Sequence, residues 1–147
     1  MPDGYYNFLK GGSFMTQITY SSTKTINAEQ LAALFTMSGI KRPIHDLARL
    51  QRMIDHADLI ITAWDGPEIV GIARAITDFS YCCYLSDLAV HKEYQKNGIG
   101  KNLIKTVQEH ITNEVVIILL ASETAMNYYP NIGFEKIENG FKIPRVR

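Results

Sequence analysis

The feature that most constrains this chain is a helix entered through two glycines. Gly98 and Gly100 flank Ile99, and from there Ile99, Leu103, Val107 and Ile111 recur four apart, the spacing of one apolar side of a helix. Residues 81–90 ahead of it have strand character. Residues 115–120 behind it form an unbroken apolar run, as expected of a strand buried on both faces. A helix with one apolar side between two such strands belongs against a sheet.

The rest of the chain supplies the remaining layers. A short strand is expected over 15–19. Asn27 reads as a helix N-cap answered by Gln30, with Leu31, Leu34 and Phe35 as the apolar stripe and Gly39 at the exit. Pro43 is placed to open a second helix, lined by Ile44, Leu47, Leu50 and Ile54. Residues 59–64 and 68–77 form a hairpin across Asp65-Gly66-Pro67, and a turn at 78–80 leads into the third run. A short helix over 123–129 stops at Pro130, and residues 134–143 make a last strand or hairpin. The expected fold class is therefore mixed α/β: a mostly antiparallel central sheet with helices on both faces. With 147 residues and no repeat or linker, one domain over 15–147 follows, preceded by a loosely held extension over 1–14 that Tyr5, Tyr6 and Phe8 could partly order.

Composition narrows the function. An apolar content of 46% is that of a core-forming chain, and 15 basic against 15 acidic residues leave no net field to draw nucleic acid or an anionic membrane. No segment approaches the roughly 20 apolar residues of a membrane span, and the N-terminus lacks the pattern of a secretory signal. Cys82 and Cys83 are adjacent, so they point to opposite faces of a strand and read as small core-filling residues in a reducing compartment; the expected location is cytoplasmic. No His/Cys/Asp/Glu spacing suggests a metal.

The chemistry is expected at the glycine helix start. Glycines there let the backbone approach a ligand, and the free N–H groups with the positive end of the helix dipole make an anion site. Between His91 and Lys105 stand Lys92, Lys96, Lys101 and Lys105 against the single acid Glu93, which suits a pyrophosphate. Neither a Gly-x-x-x-x-Gly-Lys-Ser/Thr loop nor Gly-x-Gly-x-x-Gly is present, Leu103 standing where the third glycine of the latter belongs. This disfavours a nucleoside triphosphatase and a Rossmann dehydrogenase.

Two segments together resemble the GNAT superfamily of N-acetyltransferases. Leu88-Ala89-Val90 followed by Gln95-Lys96-Asn97-Gly98-Ile99-Gly100 is similar to the family's acetyl-CoA signature, Arg/Gln-x-x-Gly-x-Gly/Ala after a strand. Ala125 to Phe134 is similar to its Ala-x-x-x-Tyr-x-x-x-Gly-Phe segment. The resemblance implies acetyl-CoA as co-substrate and an amine acceptor, either a small molecule or a peptide. It implies that backbone groups of Leu88, Ala89 and Val90 meet the pantetheine arm and that the backbone of Gln95, Lys96, Asn97, Gly98, Ile99, Gly100 and Lys101 wraps the pyrophosphate. Ser122, three residues before Ala125, replaces the asparagine of many relatives. Pro130 also departs from the commoner charged residue. A homodimer through an exposed sheet edge is in keeping with the family.

Amide formation needs an unprotonated amine, a polarised thioester carbonyl and a proton for the thiolate. A fixed backbone amide at Leu88 suits the carbonyl, and Tyr129 is the expected general acid. Asp87, on the face opposite Leu88, is the expected base or the grip for a cationic acceptor. Its alternative is a strand-end carboxylate bonded to backbone or Arg74. Two other readings stand beside transfer from acetyl-CoA: a CoA-binding sensor or interaction module without turnover, and transfer of a different acyl group.

Overall fold

The computed structural model describes residues 4–8 and 15–146; within the expected N-terminal extension, residues 1–3 and 9–14 lie outside the described residues. Six strands form one sheet in sequence order: β1 (Gly4–Phe8), β2 (Met15–Ser21), β3 (Leu59–Asp65), β4 (Glu68–Thr77), β5 (Cys82–Val90) and β6 (Val116–Ile118). Neighbours are antiparallel except β5 and β6, which run parallel. Helices α1 (Ala28–Ser38) and α2 (Leu47–Asp55) precede β3, α3 (Ile99–His110) lies between β5 and β6, and α4 (Tyr128–Asn131) follows β6. The fold is thus mixed α/β with a mostly antiparallel sheet.

Two apolar layers sandwich the sheet. On one face Ile99, Leu103, Ile104, Val107 and Ile111 of the α3 segment pack on Ile61, Val70, Ala73 and Leu85. On the other, Leu31, Leu34 and Phe35 of α1 and Leu50 of α2 pack on Trp64, Ile72 and Ala89. Each fully buried Leu, Ile or Phe contributes about 1.5–3 kcal/mol relative to exposure, so these contacts fix the three helices to their faces. Local signals agree with the packing. Asn27 and Gln30 close a reciprocal capping box, and Gly39 ends α1 with φ 81°, a conformation that favours glycine.

A β-bulge sets up the site. The β4–β5 register shifts between Arg74 and Ala75, which face Asp87 and Leu85 and leave Ser86 as the extra residue. The extra residue reverses the alternation along β5. Leu85 faces the α3 layer, and beyond the bulge Leu88 and Val90 do so as well. Ala89 packs in the α1–α2 layer, on the same side of the strand as Asp87.

Several expectations fail for identifiable reasons. The second helix begins at Leu47, not Pro43: Asp46 accepts from the Arg49 amide and is the true N-cap, while residues 43–46 turn through an Asp46 N–H to Pro43 carbonyl bond. The apolar run 115–120 is not buried on both faces. Val115, Ile117 and Leu119 pack toward the α3 layer, but Val116, Ile118 and Leu120 are 51%, 41% and 66% exposed. Apolarity shows what a strand could bury, not that a neighbour covers it. Pro130 does not stop the short helix but sits in the first turn of α4, where its missing N–H leaves no intrahelical bond unmade. Residues 134–143 form no strand; β6 is three residues long and gives them no ladder to join, and residues 135–146 are exposed. Cys83 is buried in the core, whereas Cys82 is exposed and fills nothing.

Candidate functional site

β5 and β6 pair only from Cys82↔Val116 to Tyr84↔Ile118, after which β5 continues to Val90 paired with β4 alone. The strands part, and residues 85–90 run on beyond the last β6 pairing. A cavity of about 220 Å³ lies there. Its walls come from the α1 exit (Ser38, Gly39, Ile40, Arg42), from β5 (Ser86, Leu88, Val90), from Gln95, and from the segment after β6 (Leu119, Ser122, Ala125, Tyr129). Of the residues expected from sequence, Leu88, Ala89, Val90, Gln95, Ser122, Ala125 and Tyr129 line this one space.

The loop entering α3 is held by its own side chains. His91 is buried, and its Nδ1 accepts from the Glu93 amide to cap a single 3₁₀ turn, Lys92–Tyr94. His91 is thus a structural cap. Gln95 Nε2 donates to the Val90 carbonyl at 2.8 Å and to the Ser38 carbonyl at 3.4 Å, tying the loop to both the strand and the α1 end. Asn97 Nδ2 donates to the Tyr94 and Gln95 carbonyls. Tyr94 donates to Asp65 at 2.5 Å; burial and that carboxylate push its pKa well above the usual phenol value.

This scaffold presents α3 with an open end. Gly98 is the N-cap at φ 80° and brings no side chain to bond the first amides. Lys96 also has a positive φ, 67°, so the chain twice takes a left-handed conformation just before the helix. A Cβ on Gly100 would stand 2.6 Å from the Tyr128 hydroxyl and 3.9 Å from Leu88, so only glycine leaves the space between α3 and α4 clear. Lys96, Asn97, Gly98, Ile99, Gly100 and Lys101 therefore lie beside the cavity rather than in its wall, reached through Gln95 and Leu88.

Tyr129 stands at the opposite wall. Its ring meets Tyr128 and Phe134 edge-on, with centroids 5.2 and 5.4 Å away, and its carbonyl accepts from the Ile132 and Phe134 amides. Burial pushes its pKa above the usual value of 10, reinforced by Tyr128 and opposed by Arg42. The phenol is therefore protonated at neutral pH.

Asp87 departs from the role expected of it. It is fully buried and does not line the cavity. One oxygen accepts from Arg42 Nε at 2.6 Å and the other from Arg74 Nε at 2.5 Å. Arg74 Nη2 also donates to Ser86 Oγ, and Arg42 Nη2 to the Ser86 carbonyl. Both carboxylate oxygens are thus engaged by guanidinium groups, and the side chain stays out of the cavity wall. The group that reaches the cavity from this cluster is Arg42, which the sequence reading missed. It lies 45 residues from Asp87 in the chain, and no local pattern links them. Arg74, Asp78, Tyr81 and Tyr84 lie outside the cavity wall: Arg74 is buried on Asp87, and Asp78 caps the β4–β5 turn by accepting from Ser80, Tyr81 and Cys82. No group of three or more His, Cys, Asp or Glu among the described residues is placed to hold a metal. No helix among them is long and apolar enough to cross a membrane.

The arrangement fits a CoA thioester. It offers a splayed strand edge for an amide-bearing arm, a helix start cleared by Gly98 and Gly100 for phosphate, and a phenol where the two meet. The chain is similar in sequence and fold to known proteins. The chain is 27% identical over 135 residues to the uncharacterized N-acetyltransferase ycf52 of Porphyra purpurea, covering 87% of this chain and 76% of that protein. A GNAT family acetyltransferase from Streptococcus pneumoniae TIGR4 superposes with a TM-score of 0.71 at 25% identity, over 87% of this chain and 98% of that one. AAC(6')-Iy, solved with a bisubstrate analogue of CoA and acetylneamine, shares the fold with a TM-score of 0.65 at 18% identity, over 87% and 97% of the two chains. The sequence pattern of the Acetyltransferase (GNAT) domain matches residues 20–143. With that match over most of the chain, and with the end of β5, Gln95 and Tyr129 lining one cavity, the chain belongs to the GNAT family of acetyltransferases.

Proposed function

We propose that this protein moves an acetyl group from acetyl-CoA to a primary amine by direct attack on the thioester, with Tyr129 as the general acid. The observation that carries the reading is that Tyr129 and Leu88 line the same cavity at the point where β5 leaves β6. The backbone of Gln95, Lys96, Asn97, Gly98, Ile99, Gly100 and Lys101 receives the pyrophosphate. Leu88 pairs with the pantetheine arm, because the Val90 carbonyl already accepts from Gln95. Ser122 and Ala125 close the cavity on the α4 side.

Each step then has a residue. The Leu88 amide stabilises negative charge that develops on the carbonyl oxygen only as the amine attacks. As the C–N bond forms and the C–S bond breaks, Tyr129 gives its proton to the departing sulfur. The amine's proton leaves through water and restores the phenol. Among the described residues no carboxylate lines the cavity; deprotonation is assisted by Arg42, whose positive charge lowers the pKa of an ammonium brought near it. Asp87 serves as a positioning residue by holding Arg42.

Calorimetric titration with acetyl-CoA tests this reading, using the wild type beside the double variant Gly98→Trp with Gly100→Trp. Saturable binding that the folded variant lacks supports it, and release of CoA with an amine and its loss in Tyr129→Phe completes it. Absence of binding to the folded wild type refutes it.

A further inference from the structure

Among the described residues lining the cavity, Arg42 is the only charged one. Its Nε donates to Asp87, its Nη1 to the Lys41 carbonyl at 2.7 Å and its Nη2 to the Ser86 carbonyl at 2.8 Å. A guanidinium has five N–H donors, so one on each terminal nitrogen is left. The group is clamped from three directions, 27% exposed, and faces the cavity that holds Tyr129.

The charge around it does not cancel. Asp87 is shared with Arg74, so two guanidinium groups stand against one carboxylate and the cluster keeps one positive charge. Arg74 is buried, bonded to Asp87, Ser86 and Met53, and does not line the cavity, so the surplus is expressed at Arg42. Among the described residues, no Asp or Glu lines the cavity to neutralise it. A polycationic acceptor would meet a positive wall with no counter-charge.

We propose that Arg42 receives a carboxylate, so that the preferred acceptor is an amine that carries its own carboxylate, as an amino acid does. This rests on the acetyl-transfer reading and names the acceptor class for that site. The two remaining N–H groups bind one anion, and their fixed position sets where the amine of the same molecule lies relative to Tyr129. A carboxylate on the acyl donor would present the same chemistry, and the experiment separates the two sources.

The test compares glutamate, glycine and β-alanine with glutamic diamide (both carboxyls amidated), glycinamide, β-alaninamide and spermidine at saturating acetyl-CoA, reading CoA release and acetylated product by mass. Direct binding of glutamate and glycinamide to the CoA-loaded protein is measured alongside. The expected result is a kcat/KM at least about tenfold higher for each carboxylate-bearing amine than for its amide, as for hydrogen bonds to a charged group. Glutamate binding should fall similarly in Arg42→Gln and recover in part in Arg42→Lys, with thermal unfolding confirming that both variants fold. Equal use of acid and amide, preference for spermidine, or no glutamate binding overturns the proposal. So does preference for succinyl-CoA over acetyl-CoA without discrimination among acceptors, which would put the carboxylate on the donor. Acetyl-CoA titration of the same wild-type sample keeps failure of the acceptor class distinct from failure of acetyl transfer.

Discussion

The two walls of the cavity are built differently. On the β5–α3 side, the chain from Leu85 to Ile111 is bonded or buried at almost every turn: Leu85, Leu103 and Val107 are in the core, His91 caps its turn, and Gln95 spans from Val90 to Ser38. On the β6–α4 side, a three-residue strand leads to single helical turns, alternate apolar residues face solvent, and residues 135–146 are exposed. The loop read as the phosphate cradle therefore sits on the firm wall and Tyr129 on the slight one. Elements with few buried apolar contacts open at low free energy. On the proposed acetyl-transfer reading, a site so divided would keep its cofactor geometry fixed and leave its proton donor on the part that can yield to an acceptor.

The largest break in this comparison comes from Tyr129. Replacing it with Phe removes one hydroxyl from the slight wall while leaving its packing on Phe134, so kcat should fall about 10²–10⁴-fold, with acetyl-CoA affinity changed less than about twofold. Steady-state CoA release and calorimetry measure the two. Because burial raises this phenol's pKa and the protonated form is active, kcat should hold through pH 10 and decline only above it. A decline that begins below pH 9 and disappears in the variant would show the phenol to be less protected than its packing indicates.

Core substitutions sharpen the contrast in stability. Leu103→Ala should cost about 2–5 kcal/mol because the side chain is fully buried under α3. Ile118→Ala, at 41% exposure on β6, should cost less than about 1 kcal/mol. Urea unfolding of both variants decides. Equal losses would mean that the outer face of β6 is covered in solution.

The same division governs what could be read from the residues. The firm wall was legible because its signals are local: a stripe four apart in α3, a capping box in Asn27 and Gln30, and glycines where φ turns positive. The slight wall was misread because an apolar run looks the same whether or not a neighbour covers it, which is why 115–120 passed for a doubly buried strand and 134–143 for another. Pro43 misled for a related reason. It suits a helix start, but the Asp46 carboxylate three residues later captures the Arg49 amide and sets the boundary there. The Asp87 role failed because its partners come from other elements, Arg42 through a loop and Arg74 across the bulge.

Gly100 is a point of contact between the walls and tests their coupling. A Cβ there would crowd the Tyr128 hydroxyl, the far end of a side chain on the slight wall, so that wall should give way. Gly100→Ala should weaken acetyl-CoA binding by about tenfold, roughly 1.4 kcal/mol, with little change in stability. Adding Tyr128→Phe removes the crowded oxygen and leaves the next ring atom at 3.6 Å, ordinary contact distance. The double variant should regain most of the affinity, and calorimetry on the four proteins of the cycle gives the coupling. Additive losses would show that the two sites act independently.

The smallest effect should come from the longest piece. Residues 135–146 include Phe141 and Ile143 at 99% and 98% exposure, and their recorded ion pair, Lys136 with Glu138, is 3.8 Å long and exposed. Such pairs contribute little, and side chains that far from the core remove no apolar surface from water. Phe134, by contrast, packs on Tyr129 and the α3 layer. A chain ending at Phe134 should therefore unfold within about 0.5 kcal/mol of the full one, and kcat should persist, whereas Phe134→Ala in the full chain should lower kcat by loosening Tyr129. Urea unfolding and CoA release on both proteins separate the cases. If the shortened chain loses several kcal/mol, residues 135–146 bury surface in solution, and the slight wall is completed by a covering that a lone chain does not form.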